Sequence, residues 1–403
     1  MQTKSDRLLK RIDQLAALSQ TRLALTAEDK LGRDQLCSWM READLRVEID
    51  QIGNIFAFRK GKSGQSVIIG SHIDTVRNGG KYDGILGVLA GLEIAESLNE
   101  NHIETEKTLI VASFTNEEGA RYTPDMMGSL YCAGALDLEQ VYQQLSISGQ
   151  KTFKEELTDI SYLGSFHLDT NSIEAFLELH IEQGPVLEHE KLEIGIVEGV
   201  QGIYWAAIEI EGTANHAGTT PMNLRNDAFN TALEFLTQLK SSLLSIPDQL
   251  VTVGRFEISP NVINVVPARV QFSIDLRNHK RENLQDAINL FKNSCDQLIQ
   301  SGIQISKKEL VHFDPVQFDA DLLSDLENCV KGKRLSYKRM ISGAGHDAQM
   351  MARIAPSVML FIPSKNGISH NPAEFSSKQQ IENGLNVLTE LSLKKLIIRD
   401  RDI

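Results

Sequence analysis

The chain has 403 residues, 41% of them hydrophobic and 24% charged, and a net charge of -13. That length points to two or more domains, and the composition to an ordinary soluble globular protein. The acidic balance argues against nucleic acid as a partner, because phosphate binding needs clustered Lys and Arg, and no apolar run approaches the ~20 residues that cross a bilayer.

The opening stretch, MQTKSDRLLKRIDQLAALSQ, is charged and helix-patterned, with apolar residues at Leu8, Leu9, Ile12, Leu15 and Leu18. It lacks the apolar core of a secretory signal. Cys37, Cys132, Cys295 and Cys329 form no C-x-x-C pair and read as reduced thiols. The expected location is the cytoplasm. Residues 27–43 continue the helical spacing. LRVEIDQIGNIFAF, residues 45–58, alternates apolar and polar around Gly53-Asn54 and predicts a hairpin.

Buried strands are expected at 66–70, 108–114 (TLIVASF), 175–180 (AFLELH) and 358–362 (VMLFI), with helices at 86–98 and 377–398. Such alternation indicates a mostly parallel α/β sheet. Residues 139–172 are polar and predict one helix near 138–145 and a long connection. From about residue 203 the pattern changes to strand 203–211, helix 226–244, strands 249–258 and 268–276, helix 282–301 and strand 303–312. This β-α-β-β-α-β order is the ferredoxin-like split motif. The expected division is a discontinuous catalytic domain, 1–200 and 314–403, with residues 201–313 inserted as an α+β domain.

Five side chains stand out as metal ligands: His72, Asp83, Glu118, His180 and His370. Each follows a predicted strand or sits in a Gly-, Ser- or Pro-containing loop. Imidazole and carboxylate suit Zn, Mn, Co or Ni, and no thiolate is offered. Two ions need a bridging ligand, and a carboxylate has two oxygens for it, so Asp83 is the natural bridge. Asp74, two residues from His72, is placed to accept its other ring N–H. With Glu118 coordinated, Glu117 is left to take a proton from water. Taken singly, an H-x-D reads as a structural hydrogen-bonded pair, and Glu-Glu as a solvated surface. Here they coincide at strand ends beside glycine.

GSHIDTVRNGGKYDG, TNEEGARY, LELHIEQGPVLE, GTANHAGTTPM, GAGHDAQ and PSKNGISHNPAE resemble, in order, the hydantoinase/carbamoylase family of dinuclear-metal amidohydrolases. That family includes N-carbamoyl-L-amino-acid hydrolases, allantoate amidohydrolases and β-ureidopropionases, within the metal-dependent aminoacylases and carboxypeptidases. The resemblance implies two divalent ions per subunit, with His72 and His370 on different ions, Asp83 bridging, and Glu118 and His180 completing the ligand sets. It implies Glu117 as general acid/base and His216 as the histidine that stabilises the transition state, reaching a partner's site in a homodimer formed through the inserted lid domain. Asn264 and Arg277 match positions that hold a substrate carboxylate, and Gln183 and His346 match substrate-side positions. Without the resemblance, Asn215-His216 reads as a turn pair and Arg277 as a strand-end salt bridge. The expected reaction is hydrolysis of the carbamoyl C–N bond of an N-carbamoyl-L-amino acid. Allantoate or a β-ureido acid is the alternative substrate, and a non-catalytic protein on the same fold is the remote one.

Overall fold

The computed structural model describes residues 1, 3–147 and 149–397. The chain divides into two compact units, one of residues up to Gly199 together with those from Gln317 on, the other Val200–Val316. The C-terminal helix is Lys378–Ile397, and Ile398, expected to end it, lies outside the described residues.

The first unit is built on a mixed sheet. Strand Ser66–His72 pairs in parallel with Thr108–Phe114 on one side and Ile173–Ile181 on the other, and Ser357–Ile362 adds in parallel to Ile173–Ile181. These four strands are almost wholly buried, which is why they read as continuous apolar runs. The hairpin Arg46–Ile49 and Ile55–Arg59 joins the Thr108–Phe114 edge antiparallel. Ile194–Val200 closes the other side antiparallel to Ser357–Ile362 and pairs with Tyr337–Ser342. Helix Ile85–Glu100 is apolar nearly all round and is buried on nearly every face, so it sits inside the unit and not on its surface.

Two parts differ from the sequence expectation. The polar connection holds helices Leu138–Tyr142 and Phe153–Asp159 instead of one helix. The second starts at a capping box, in which Thr152 accepts from the Glu155 N–H and Glu155 reaches back to the Thr152 N–H. The expected strand 249–258 is broken into Leu250–Thr252 and Phe256–Ser259, both along one edge of Arg269–Asn278, with the break around Gly254.

The second unit has the antiparallel order Phe256–Ser259, Arg269–Asn278, Gly202–Glu211, Gln304–Phe313, the strand order of a ferredoxin-like sheet. One face buries Tyr204, Ile208, Phe272 and Ile274 against Phe235 and Leu239 of helix Ala228–Leu243 and Ile288 and Phe291 of helix Arg281–Gln300. Each such side chain, fully buried, contributes about 1.5–3 kcal/mol. Among the described residues no helix is long and apolar enough to cross a membrane.

Candidate metal centre

The parallel strands of the first unit place chemistry at their carboxyl ends. His72 is the last residue of Ser66–His72, Glu117 and Glu118 follow Thr108–Phe114, His180 lies one residue before the end of Ile173–Ile181, and His370 follows Ser357–Ile362. Asp83 comes from the loop between His72 and helix Ile85–Glu100.

That loop is held on both sides of Asp83. The Ile85 N–H donates to the Asp83 carbonyl at 2.7 Å across Gly84, whose φ of 66° and ψ of -48° form a tight γ-turn that disfavours a Cβ. A Cβ there would stand 2.3 Å from His72 Nε2. Before Asp83, the buried Glu374 accepts from the N–H groups of Tyr82 at 2.8 Å and Asp83 at 3.2 Å.

All five residues expected as ligands come together, in two groups that share Asp83. Asp83 Oδ1 lies 3.2 Å from His180 Nε2 and 3.8 Å from His72 Nε2. Asp83 Oδ2 lies 3.3 Å from His370 Nε2, which is 3.1 Å from Glu118 Oε2. With metal–ligand bonds of about 2.0–2.1 Å, tetrahedral coordination separates neighbouring donors by roughly 3.4 Å. The observed separations bracket that value, so these residues fit two divalent cations bridged by one carboxylate. A third group, Glu178, His180 and His346, shares His180.

Both buried imidazoles face Asp83 through Nε2. His72 Nδ1 is 3.0 Å from the Asp74 carbonyl and His180 Nδ1 is 2.9 Å from the Ile181 carbonyl. A carbonyl only accepts, so each Nδ1 carries a proton. Asp74 thus orients His72 through its backbone and not, as expected, through its carboxylate, which is 3.8 Å from Nδ1. The strand ends at His72, so the two-residue alternation of an extended chain does not carry on to Asp74. The Asp74 carboxylate instead accepts from the N–H groups of Glu117 at 3.3 Å and Glu118 at 3.4 Å. It positions the expected base and a ligand together.

Electrostatics separate the carboxylates. Burial, then Asp347, Glu118 and Asp83, holds the Glu117 pKa well above the usual range. Burial also works to raise Asp83, but His180 and His370 override it and hold Asp83 well below. Burial opposes charge on His180, yet Asp83 lifts its pKa to about 9, and Asp83 with Glu118 lifts His370 to about 10. Where protons are held this way between carboxylates and imidazoles, a divalent cation can take their place.

A cavity of about 120 Å³ opens over the cluster, lined by Asp83, Glu117, Glu118, Asp125, His180, Gln183, Ala344, Gly345, His346 and His370. Of the two substrate-side residues expected here, Gln183 donates from Nε2 to Asp83 Oδ2 at 2.8 Å, and its buried Oε1 has no partner. His346 sets its ring edge against His180, with centroids 4.6 Å apart, and places Nε2 2.9 Å from Ser342 Oγ.

Sequence reasoning missed the carboxylates behind this wall. Asp347 follows His346 and takes a hydrogen bond from Ser129 Oγ at 2.6 Å. Glu178, two residues before His180, accepts from Ser71 Oγ at 2.7 Å and the Ala348 N–H at 2.9 Å. Both lie inside motifs that were read, LELH and GAGHDAQ, but the only local signal was Glu178, a charged residue within an apolar strand; Asp347, at the start of a short helix, gave none. Arg33 was also missed. It is buried, pairs with Asp29 at 2.7 Å and donates to Thr115 Oγ1 at 3.2 Å, close to the start of the Glu117-Glu118 loop.

The remaining expected residues belong to the second unit. His216 is exposed and forms a two-residue ladder with Val265, and the Ala217 N–H donates to the Asn264 carbonyl at 3.0 Å. His216 and Asn264 therefore stand together, past the Arg269 end of strand Arg269–Asn278. Arg277 stands at the other end, with Nε 3.0 Å from Asp275 Oδ1. Eight residues of extended strand separate Arg277 from Arg269, roughly 27 Å. His216 and Asn264 are thus too far from Arg277 along the strand for all three to meet on one small substrate within a single chain. Residue types and order say nothing about which end of a strand a neighbouring loop occupies.

A parallel-sheet carboxyl edge carrying paired imidazoles and carboxylates over a small cavity defines the class of metal-dependent hydrolases. The chain belongs to peptidase family M20/M25/M40, whose model matches residues 68–394. It is 36% identical over 371 residues to an N-carbamoyl-L-amino-acid amidohydrolase of Rhizobium meliloti, covering 91% of this chain and 89% of that one. It is also 36% identical to the allantoate amidohydrolase of Bacillus subtilis, covering 93% and 92%. Among solved structures it is similar to a hydantoinase/carbamoylase family amidase from Burkholderia multivorans, with a TM-score of 0.92, 36% identity and 98% of each chain covered. The protein is a hydrolase of this family.

Proposed function

We propose that this protein hydrolyses the carbamoyl C–N bond of an N-carbamoyl-L-amino acid, giving the amino acid, ammonia and carbon dioxide. The observation that carries the proposal is the split of Asp83, one oxygen toward His72 and His180, the other toward His370 and Glu118. Those residues would hold two divalent cations. When bound, such a pair polarises a carbonyl oxygen and lowers the pKa of a water toward ~7.

The chain's own groups do the rest. Glu117 lines the cavity beside both ligand groups, with Oε2 3.3 Å from His72 Nε2. It removes the proton of the attacking water as the new C–O bond forms at the ureido carbon. As the C–N bond to the amino acid breaks, Glu117 returns that proton to the leaving nitrogen. Carbamate leaves and decays to ammonia and carbon dioxide. The shared position of His216 and Asn264, roughly 27 Å along the strand from Arg277, supports a homodimer in which His216 and Asn264 serve the partner's site while Arg277 serves its own. In this reading Val200–Val316 is both lid and interface. His216 then supplies a hydrogen-bond donor for the developing oxyanion, and Arg277 exchanges Asp275 for the substrate carboxylate.

The N-carbamoyl-L-amino-acid and allantoate amidohydrolases to which the chain is similar both act on ureido acids, so allantoate is the second reading. Ammonia release across a panel of N-carbamoyl-L-amino acids, allantoate and β-ureidopropionate separates the two. Preference for allantoate over every carbamoyl amino acid would overturn the first reading.

A further inference from the structure

The Asp83 oxygen that faces His370 is crowded. Asp83 Oδ2 accepts from Gln183 Nε2 at 2.8 Å and from Ser369 Oγ at 2.7 Å. Two hydrogen bonds use both lone pairs of a carboxylate oxygen, yet this is the oxygen a cation held with Glu118 and His370 must share. One donor has to let go. Ser369 can do so without moving, because Glu374 Oε2 lies 3.0 Å from the same hydroxyl. A serine hydroxyl has a single proton and rotates to suit its surroundings.

Glu374 is built into place. It is buried, and its other oxygen takes the N–H groups of Tyr82 and Asp83. Residue 80 has to be glycine for it to fit, since a Cβ there would stand 2.1 Å from the Glu374 carboxyl carbon. One carboxylate therefore grips the loop that carries Asp83 and offers a second acceptor to the hydroxyl that Asp83 must release.

We propose that Ser369 and Glu374 are positioning residues for the second cation position, with Glu374 the acceptor to which the Ser369 hydroxyl turns when Asp83 Oδ2 is taken. This rests on the two-cation reading above. The two roles of Glu374 are separable by substitution. Glu374→Gln keeps an amide oxygen for the two backbone N–H groups but turns an N–H toward Ser369, which leaves the serine proton on Asp83. Glu374→Ala removes both roles. Ser369→Ala removes the competing proton.

The test is a stepwise calorimetric titration of chelator-stripped protein with Zn²⁺ or Mn²⁺ at mildly alkaline pH, with thermal melts of the metal-free forms. Outer partners of metal ligands typically change affinity by about 10–100-fold. Glu374→Gln should bind the first ion as the wild type does and the second at least tenfold more weakly, with an unchanged metal-free melting temperature. Adding Ser369→Ala to Glu374→Gln should restore the second ion, a rescue that a merely structural role would not produce. Glu374→Ala should weaken both ions. Wild-type affinity for both ions in Glu374→Gln would overturn the proposal, as would a double variant that stays weak. If the wild type itself binds no second ion, it is the two-cation reading that fails, and the titration shows that first.

Discussion

Gly84→Ala tests whether the γ-turn beside Asp83 exists to make room for a ligand. The new Cβ would enter 2.3 Å from His72 Nε2, whereas ordinary contacts begin at 3.4 Å, so the imidazole must retreat by about 1.1 Å. The His72–Asp83 separation is already 3.8 Å, against roughly 3.4 Å for tetrahedral donors. A misplacement of this size costs about 100-fold where geometry matters. The backbone adds its own cost, since a positive φ in an L-residue is worth about 1–3 kcal/mol. Gly134→Ala serves as a reference for a positive φ without the clash, because Gly134 has a φ of 68° and nothing within 4 Å of a built Cβ. The assay is metal titration of both variants by calorimetry, with ammonia release on the same samples. Gly84→Ala should lose about 100-fold in affinity for the ion at His72, Asp83 and His180, and about as much in kcat/KM. Gly134→Ala should lose only stability. Equal metal affinities in the two variants would refute the reasoning.

Other outcomes follow from the same geometry. Arg33→Met strands the buried Asp29, which should cost about 3–5 kcal/mol in a denaturant titration; the double change Asp29→Asn/Arg33→Met should recover most of it, and a failure to recover would mean that Arg33 matters through its bonds to the Gly53 carbonyl and Thr115 instead. Removing divalent ions with a chelator should abolish ammonia release and lower the melting temperature, with re-addition at 100 times Kd restoring about 2.7 kcal/mol; an unchanged melting curve would argue against resident cations. His216→Ala mixed with Glu117→Gln should regain part of the wild-type rate through hybrid dimers. No recovery despite demonstrated mixing would place His216 outside the partner's site.

Much of the first unit is legible because its strands are buried on both faces. TLIVASF and VMLFI carry no charged residue to interrupt the apolar run, and each ends where the chain turns at Thr or Pro. The five His, Asp and Glu residues read as ligands are those that meet around Asp83, since strand ends on one sheet edge bring their successors together. What was not legible depends on direction or distance. Asp74 was paired with the wrong group because extended alternation stops at His72. Asp347, Glu178 and Glu374 act across more than a hundred residues of sequence, on Ser129, Ser71 and Tyr82, where no spacing rule applies. Asn264 and Arg277 were both matched to a substrate carboxylate, and no spacing in the sequence shows that they stand at opposite ends of one strand.

The central claim is that Glu117 moves the proton at a site held by two cations. Its most direct test is Glu117→Gln beside the wild type, with metal content and ammonia release from an N-carbamoyl-L-amino acid measured on the same preparations. The account predicts two ions per chain in both proteins, ammonia from the wild type, and turnover at least 100-fold lower in the variant. A Glu117→Gln protein that kept its ions and released ammonia at the wild-type rate would contradict it.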